Sequence, residues 1–169
     1  MKRLACLLAC LFLAPQAWAQ PSGNPVEDRR AALQQRGAQA LKQERGRGKA
    51  DLCAHALDGS VPAVGNCWVR EGKTTEAAYT AYTRAIGALL RLPAPSFRPT
   101  PLPTAPPQPL SFDKAEATWR AYRQQTCDAM TIQWEGGDMG RIAYPKCLVT
   151  VTWDHMNELA DLYAGLWGE

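Results

Sequence analysis

Residues 113–166 read DKAEATWRAYRQQTCDAMTIQWEGGDMGRIAYPKCLVTVTWDHMNELADLYAGL. Asp113 is a residue type that caps helix starts, and Ala115, Trp119, Tyr122, Thr126, Met130 and Trp134 follow at helical spacing until Gly136 and Gly137 end the run. Beyond the turn, Val149, Trp153, Met156, Leu159, Tyr163 and Leu166 recur at three- and four-residue steps, which predicts a closing helix. Two features oppose it. Leu148 to Trp153 has the β-branched content of a strand, and Pro145 lacks a backbone donor. The apolar spacing persists well beyond the β-branched run, so a helix is expected, bent or locally broken between Arg141 and Pro145. Cys127 lies eight residues before Glu135, and Cys147 lies nine residues past Asp138. If Asp138 caps a helix starting at Met139, the two sulfurs come level, giving an αα-hairpin bridged at its middle. Residues 148–153 in a sheet, or Cα atoms of Cys127 and Cys147 more than about 7 Å apart, would mark a different fold.

Upstream of this hairpin the chain changes character. Eight of its 13 prolines fall between Pro93 and Pro109, a density that favours extended chain over helix or sheet. The segment reads as a linker or surface loop. It separates residues 26–92 from 110–169, and each half is near the lower size limit for a secure core, so the two are expected to pack as one domain. In the first half, residues 26–47 are rich in helix formers, with Ala32, Leu33, Ala40 and Leu41 as a thin apolar stripe and Gly46 and Gly48 at the end. With little to bury, this basic N-terminal helix (20–50) is expected to dock loosely. From Lys73 to Leu92, Ala78, Tyr82, Ala85, Leu89 and Leu92 mark a core helix that Pro93 stops. Between the two, Asp51 to Gly72 reads as a turn-rich loop. The expected fold is all-α: a small disulfide-stapled bundle of two αα units joined by the Pro-rich linker 93–109.

The first residues address compartment. Lys2 and Arg3 precede an apolar run from Leu4 to Leu13, and Ala17-Trp18-Ala19 offers signal peptidase its small residues, so a signal peptide 1–19 and a periplasmic or secreted protein are expected. A competing site, Leu7-Leu8-Ala9-Cys10, would instead anchor the chain as a lipoprotein through Cys10. No later segment approaches the roughly twenty apolar residues that span a bilayer, so no membrane span is expected. Without Lys2 and Arg3, 17 basic side chains face 16 acidic ones, a net charge of +1 that points to no nucleic acid partner. Charge is nonetheless graded, from +4 over residues 20–50 to −5 over residues 127–169. Cys53, Cys67, Cys127 and Cys147 form an even set in an exported chain, which reads as disulfides. Three pairings are possible; Cys53 with Cys67 and Cys127 with Cys147 close the two shortest loops.

Trp119, Tyr122, Arg123 and Cys127, taken with Trp134-Glu135-Gly136-Gly137, Tyr144 and Cys147, resemble the LprI-like lysozyme inhibitor family of exported bacterial proteins. Cys53 and Cys67, followed by Tyr79, Tyr82 and a Leu-rich helix, look like that family's first half. The resemblance covers residues 51–164, within an expected domain of 51–166. The long Pro-rich segment and Pro145 depart from the family's pattern. The resemblance implies an exported domain that inhibits a lysozyme by stoichiometric protein binding. Trp119, Tyr122 and Arg123 lie on the face read as core, so this signature is expected to be structural. The partner contact is expected to be acidic and exposed, because lysozymes are commonly cationic. Asp154, Glu158 and Asp161 fall at i, i+4 and i+7 on one helix face, and Glu135 and Asp138 sit in the preceding turn with Trp134 and Met139 as apolar anchors.

An enzyme is not expected. No Ser, His and Asp constellation and no G-x-S-x-G occurs, and the cysteines are expected to be oxidised. There is no C-x-x-C, and His55 and His155 are the only histidines, so no metal site and no cofactor are expected. The alternative to a lysozyme inhibitor is an envelope scaffold or immunity protein that binds another exported partner.

Overall fold

The computed structural model describes residues 23–48, 52–54, 56, 59–93, 108–134 and 137–167. Four helices account for most of them: α1 Pro25–Gly48, α2 Val61–Leu90, α3 Gln108–Ile132 and α4 Gly140–Leu162, with a short 3-10 helix Ala164–Leu166 closing the chain. There is no strand among the described residues. α2 packs along both α1 and α4, while α3 packs chiefly on α4. The result is two αα units whose inner helices, α2 and α4, form the centre of the bundle. Residues 1–19, expected to be a leader, together with His55, Glu135 and most of the Pro-rich segment lie outside the described residues.

Each cysteine pair closes the shorter of its possible loops. Cys53 and Cys67 bridge with Cα atoms 5.9 Å apart, and Cys127 and Cys147 bridge at 5.6 Å. The second bridge ties α3 to α4, as expected of the hairpin. Residues 148–153 are helical, not strand.

Several element boundaries differ from expectation. α2 begins at Val61, twelve residues before Lys73, so most of the supposed loop is helix. Ser60 accepts from the Ala63 amide and Pro62 occupies the first turn, a start signal placed upstream of Gly65 and Gly72. Gly65 is where α2 meets α4: a Cβ there would sit 3.0 Å from the Arg141 carbonyl. That carbonyl is the one Pro145, having no N–H, leaves without its helical donor. α4 accordingly runs unbroken through Pro145, with no interruption between Arg141 and Pro145. Its N-cap is Met139 and makes no side-chain cap bond; Asp138 does not cap it and instead lies 3.8 Å from Arg141. α3 also starts early, at Gln108, which leaves Asp113 inside the helix and paired with Arg91, the residue that follows α2.

The main core gathers Tyr79, Tyr82, Ile86 and Leu89 of α2, Phe112 of α3, Met156 and Leu159 of α4, and Leu166. A second cluster forms around the first disulfide from Cys53, Cys67, Trp68 and Val149. α1 is firmly docked rather than loose. Its inward row is Val26, Arg30, Leu33, Gly37, Ala40, Glu44 and Arg47, at alternating four- and three-residue steps, whereas Ala32 is exposed. Gly37 lets the Trp167 ring rest on α1; a Cβ would meet it at 2.5 Å. Glu44 is 2% exposed and accepts from Thr75 Oγ1 at 3.0 Å, from Trp153 Nε1 at 2.7 Å and from Arg47, which also holds Glu71. A helix with few apolar residues is thus fastened by a buried carboxylate whose partners come from α2 and α4.

Candidate functional site

The signature residues of α3 divide between interior and surface. Trp119 stacks on His155 of α4, ring centroids 3.9 Å apart at 10°, and lies 5.0 Å from the Tyr79 ring. Arg123 donates to Glu76 Oε2 at 2.6 Å and to Thr152 Oγ1 at 3.1 Å, with its guanidinium over the Trp119 ring. Both link α3 to α2 and α4. Tyr122 does not: it is 58% exposed, which corrects its assignment to the core face. The inward row of α3 is Phe112, Glu116, Trp119, Arg123 and Cys127, with Trp119 and Arg123 half-buried. The expected row, through Ala115, Trp119, Tyr122, Thr126, Met130 and Trp134, keeps Trp119 but is otherwise displaced, because an apolar count passes over the charged Glu116.

Glu116 explains the displacement. It is 6% exposed, accepts from the Tyr79 hydroxyl, and lies 2.9 Å from His155 Nε2. Arg120 Nε reaches the same hydroxyl at 3.4 Å. Burial, reinforced by the Glu116 carboxylate, pushes the Tyr79 phenol well above its ordinary value. Burial likewise pushes Tyr82 up to about 12. This polar cluster holds three helices together. The histidine that sequence spacing left unassigned is one of its members, and the only signal for it was the i, i+3 pair with Glu158, whose Oε2 lies 3.4 Å from His155 Nδ1.

The expected partner-binding residues lie on the surface. Trp134 and Met139 are 40% and 43% exposed at the α3–α4 turn, and the Asp138 carboxylate beside them faces solvent. On either side of it, Trp134 N–H donates to Thr131 O and Gly137 N–H to Trp134 O, both at 2.9 Å. Met130 and Ile132, in the last turn of α3, add exposed apolar surface that the misplaced helix face concealed. Asp154, Glu158 and Asp161 are all exposed along the outer face of α4. The structure does not bring the turn and this acidic row together. Asp154 is fourteen residues beyond Gly140, about 21 Å along the helix at 1.5 Å per residue. Only a partner with an extended footprint covers both.

Among the described residues no group of three or more His, Cys, Asp and Glu is placed to hold a metal ion, and no helix is long and apolar enough to cross a membrane. No family model matches the chain, and no curated protein or solved structure is similar to it.

Proposed function

We propose that this chain is an exported protein-binding domain that inhibits a lysozyme by stoichiometric binding, as its resemblance to the LprI-like inhibitors implies. The observation that carries the reading is the exposed surface of Trp134, Asp138 and Met139, backed by Met130 and Ile132, at the head of a helix whose outer face is acidic. Protein interfaces draw their affinity from such aromatic and apolar anchors and their association rate from complementary charge. Asp154, Glu158 and Asp161 supply the charge a cationic enzyme would meet. The two disulfides support an exported location, with the leader removed after Ala19.

Titrating the mature protein into a cell-wall suspension being cleared by chicken-type, goose-type and invertebrate-type lysozymes tests this directly. One class is inhibited at a one-to-one ratio, Trp134→Ala and Met139→Ala weaken the inhibition, and Asp154→Lys with Glu158→Lys slows association and removes its salt dependence. If all three enzymes keep full activity at micromolar excess, the scaffold or immunity reading replaces this one.

A further inference from the structure

A groove of about 1130 Å³ runs between α2 and α4, on a different part of the surface from the acidic row. Its long wall is α2 from Pro62 to Arg84, about 33 Å of helix at 1.5 Å per residue. The opposite wall is α4 from Gly140 to Thr152, and Arg123 of α3 reaches in from the side. Its surface is apolar where Val69, Ala77, Ala81 and Leu148 line it, and Val69 is 46% exposed. The charged lining is one-sided. Lys73, Arg84, Arg123 and Arg141 stand against a single carboxylate, Glu76, which Arg123 already engages. Lys73 and Arg84 have no ion-pair partner among the described residues, and Arg141 has only the long, exposed contact with Asp138. Arg123 Nε is buried without a hydrogen-bond partner.

We propose that this groove docks an acidic amphipathic helix of a partner protein, its apolar stripe on Val69, Ala77, Ala81 and Leu148 and its carboxylates directed at Lys73, Arg84 and Arg141. Three observations select that occupant. The groove is anion-complementary, so the cationic partner proposed above does not belong here, and this inference stands apart from that reading. Its cations are distributed along the length, beside Gly65, at the middle and at the far end, whereas a single-headed anionic lipid would leave most of them unmatched. Its α2 wall has small residues at Ala77 and Ala81, which let a further helix approach closely. A second copy of this chain fits less well. Its acidic row lies on α4, whose one large exposed apolar residue among those described is Leu162, so that face lacks the apolar stripe the groove would take.

The test uses the mature chain and a fluorescein-labelled model helix of three heptads, with Leu on one face and Glu elsewhere, long enough to be helical once bound. Fluorescence anisotropy should show saturable micromolar binding that weakens with salt, and a Lys-for-Glu peptide with the same Leu face should not bind. Lys73→Glu combined with Arg84→Glu should weaken binding by about tenfold or more, with circular dichroism confirming an intact fold. Val69→Asp, which leaves every cation in place, should weaken it as well. The proposal is overturned if neither peptide binds, if both bind equally, or if charge reversal changes nothing. It is equally overturned if oleate displaces the Glu peptide from unaltered protein while Lys73→Glu leaves oleate binding intact, or if sedimentation shows a dimer that closes the groove.

Discussion

Glu44 and Gly37 set the docking of α1 more than its apolar residues do. Glu44 is buried with three donors, from Thr75, Trp153 and Arg47, and removing the carboxylate leaves all three without their acceptor. Glu44→Ala is therefore expected to lower stability by about 3 kcal/mol, the range for breaking a buried charged network, read as a fall in the urea midpoint at constant slope. An unchanged midpoint would mean that water replaces Glu44 at little cost. At Gly37 two effects oppose each other. Alanine gains about 1 kcal/mol of helix propensity over glycine, but its methyl would meet the Trp167 ring at 2.5 Å. Trp167 is stacked on Tyr82 at 5.3 Å, so moving it disturbs the core. Gly37→Ala should lower the melting temperature; a rise would show that Trp167 swings aside freely.

Among the elements, α3 depends most on a covalent tie. Its packing is concentrated on α4, and its outer surface carries exposed Leu110, Tyr122, Met130 and Ile132. The Cys127–Cys147 bridge closes a loop of sequence separation 20, worth about 3 kcal/mol in the unfolded chain. Replacing both cysteines with serine should therefore lower stability by about that amount. It should also increase amide exchange in α3 more than in α2, since α2 keeps its packing against α1 and α4. Uniform loss of protection across all four helices would show that the bundle opens only as a unit. The helical spacing of α2 and α4 was legible: Tyr82, Ala85, Leu89, Val149, Met156 and Leu159 are buried as expected. In α3 existence and approximate length were legible but rotation was not, because Glu116 occupies an inward position that a count of apolar residues assigns to water; in α1 the stripe of Leu33, Ala40 and Leu41 was legible and buried Glu44 was not.

For the whole molecule, burying polar groups makes stability depend on pH at the alkaline end. Tyr79 and Tyr82 hold their protons more tightly folded than the ordinary phenol value of 10.0, both chiefly through burial. Below pH 10 both are protonated in the folded and the unfolded chain, and their contribution to stability is fully present. Above it the unfolded chain releases these protons first, so stability declines as pH rises through about 12, where folded Tyr82 titrates. Urea midpoints followed from neutral pH upward should fall over this window, together with delayed phenolate absorbance; a flat midpoint would place both tyrosines nearer to water than the structure has them.

Sequence by itself determined the helical class, the hairpin across Cys127 and Cys147 and the exposure of Asp138, Met139 and the α4 carboxylates, and it singled out the two cysteine pairs as the shortest loops among three possible pairings. These follow from local periodicity and chain distance, which are properties of neighbouring residues. Tertiary structure alone decided which way α3 faces, that Glu44 turns inward on α1, that α4 runs unbroken through Pro145, and that a cation-lined groove opens beside Arg123. Each of these depends on what a distant segment offers: Trp153 and Thr75 to Glu44, Tyr79 and His155 to Glu116, and Gly65 to the carbonyl of Arg141. A charged residue takes an inward position when its partners are assembled from other helices, and no spacing within its own helix announces them.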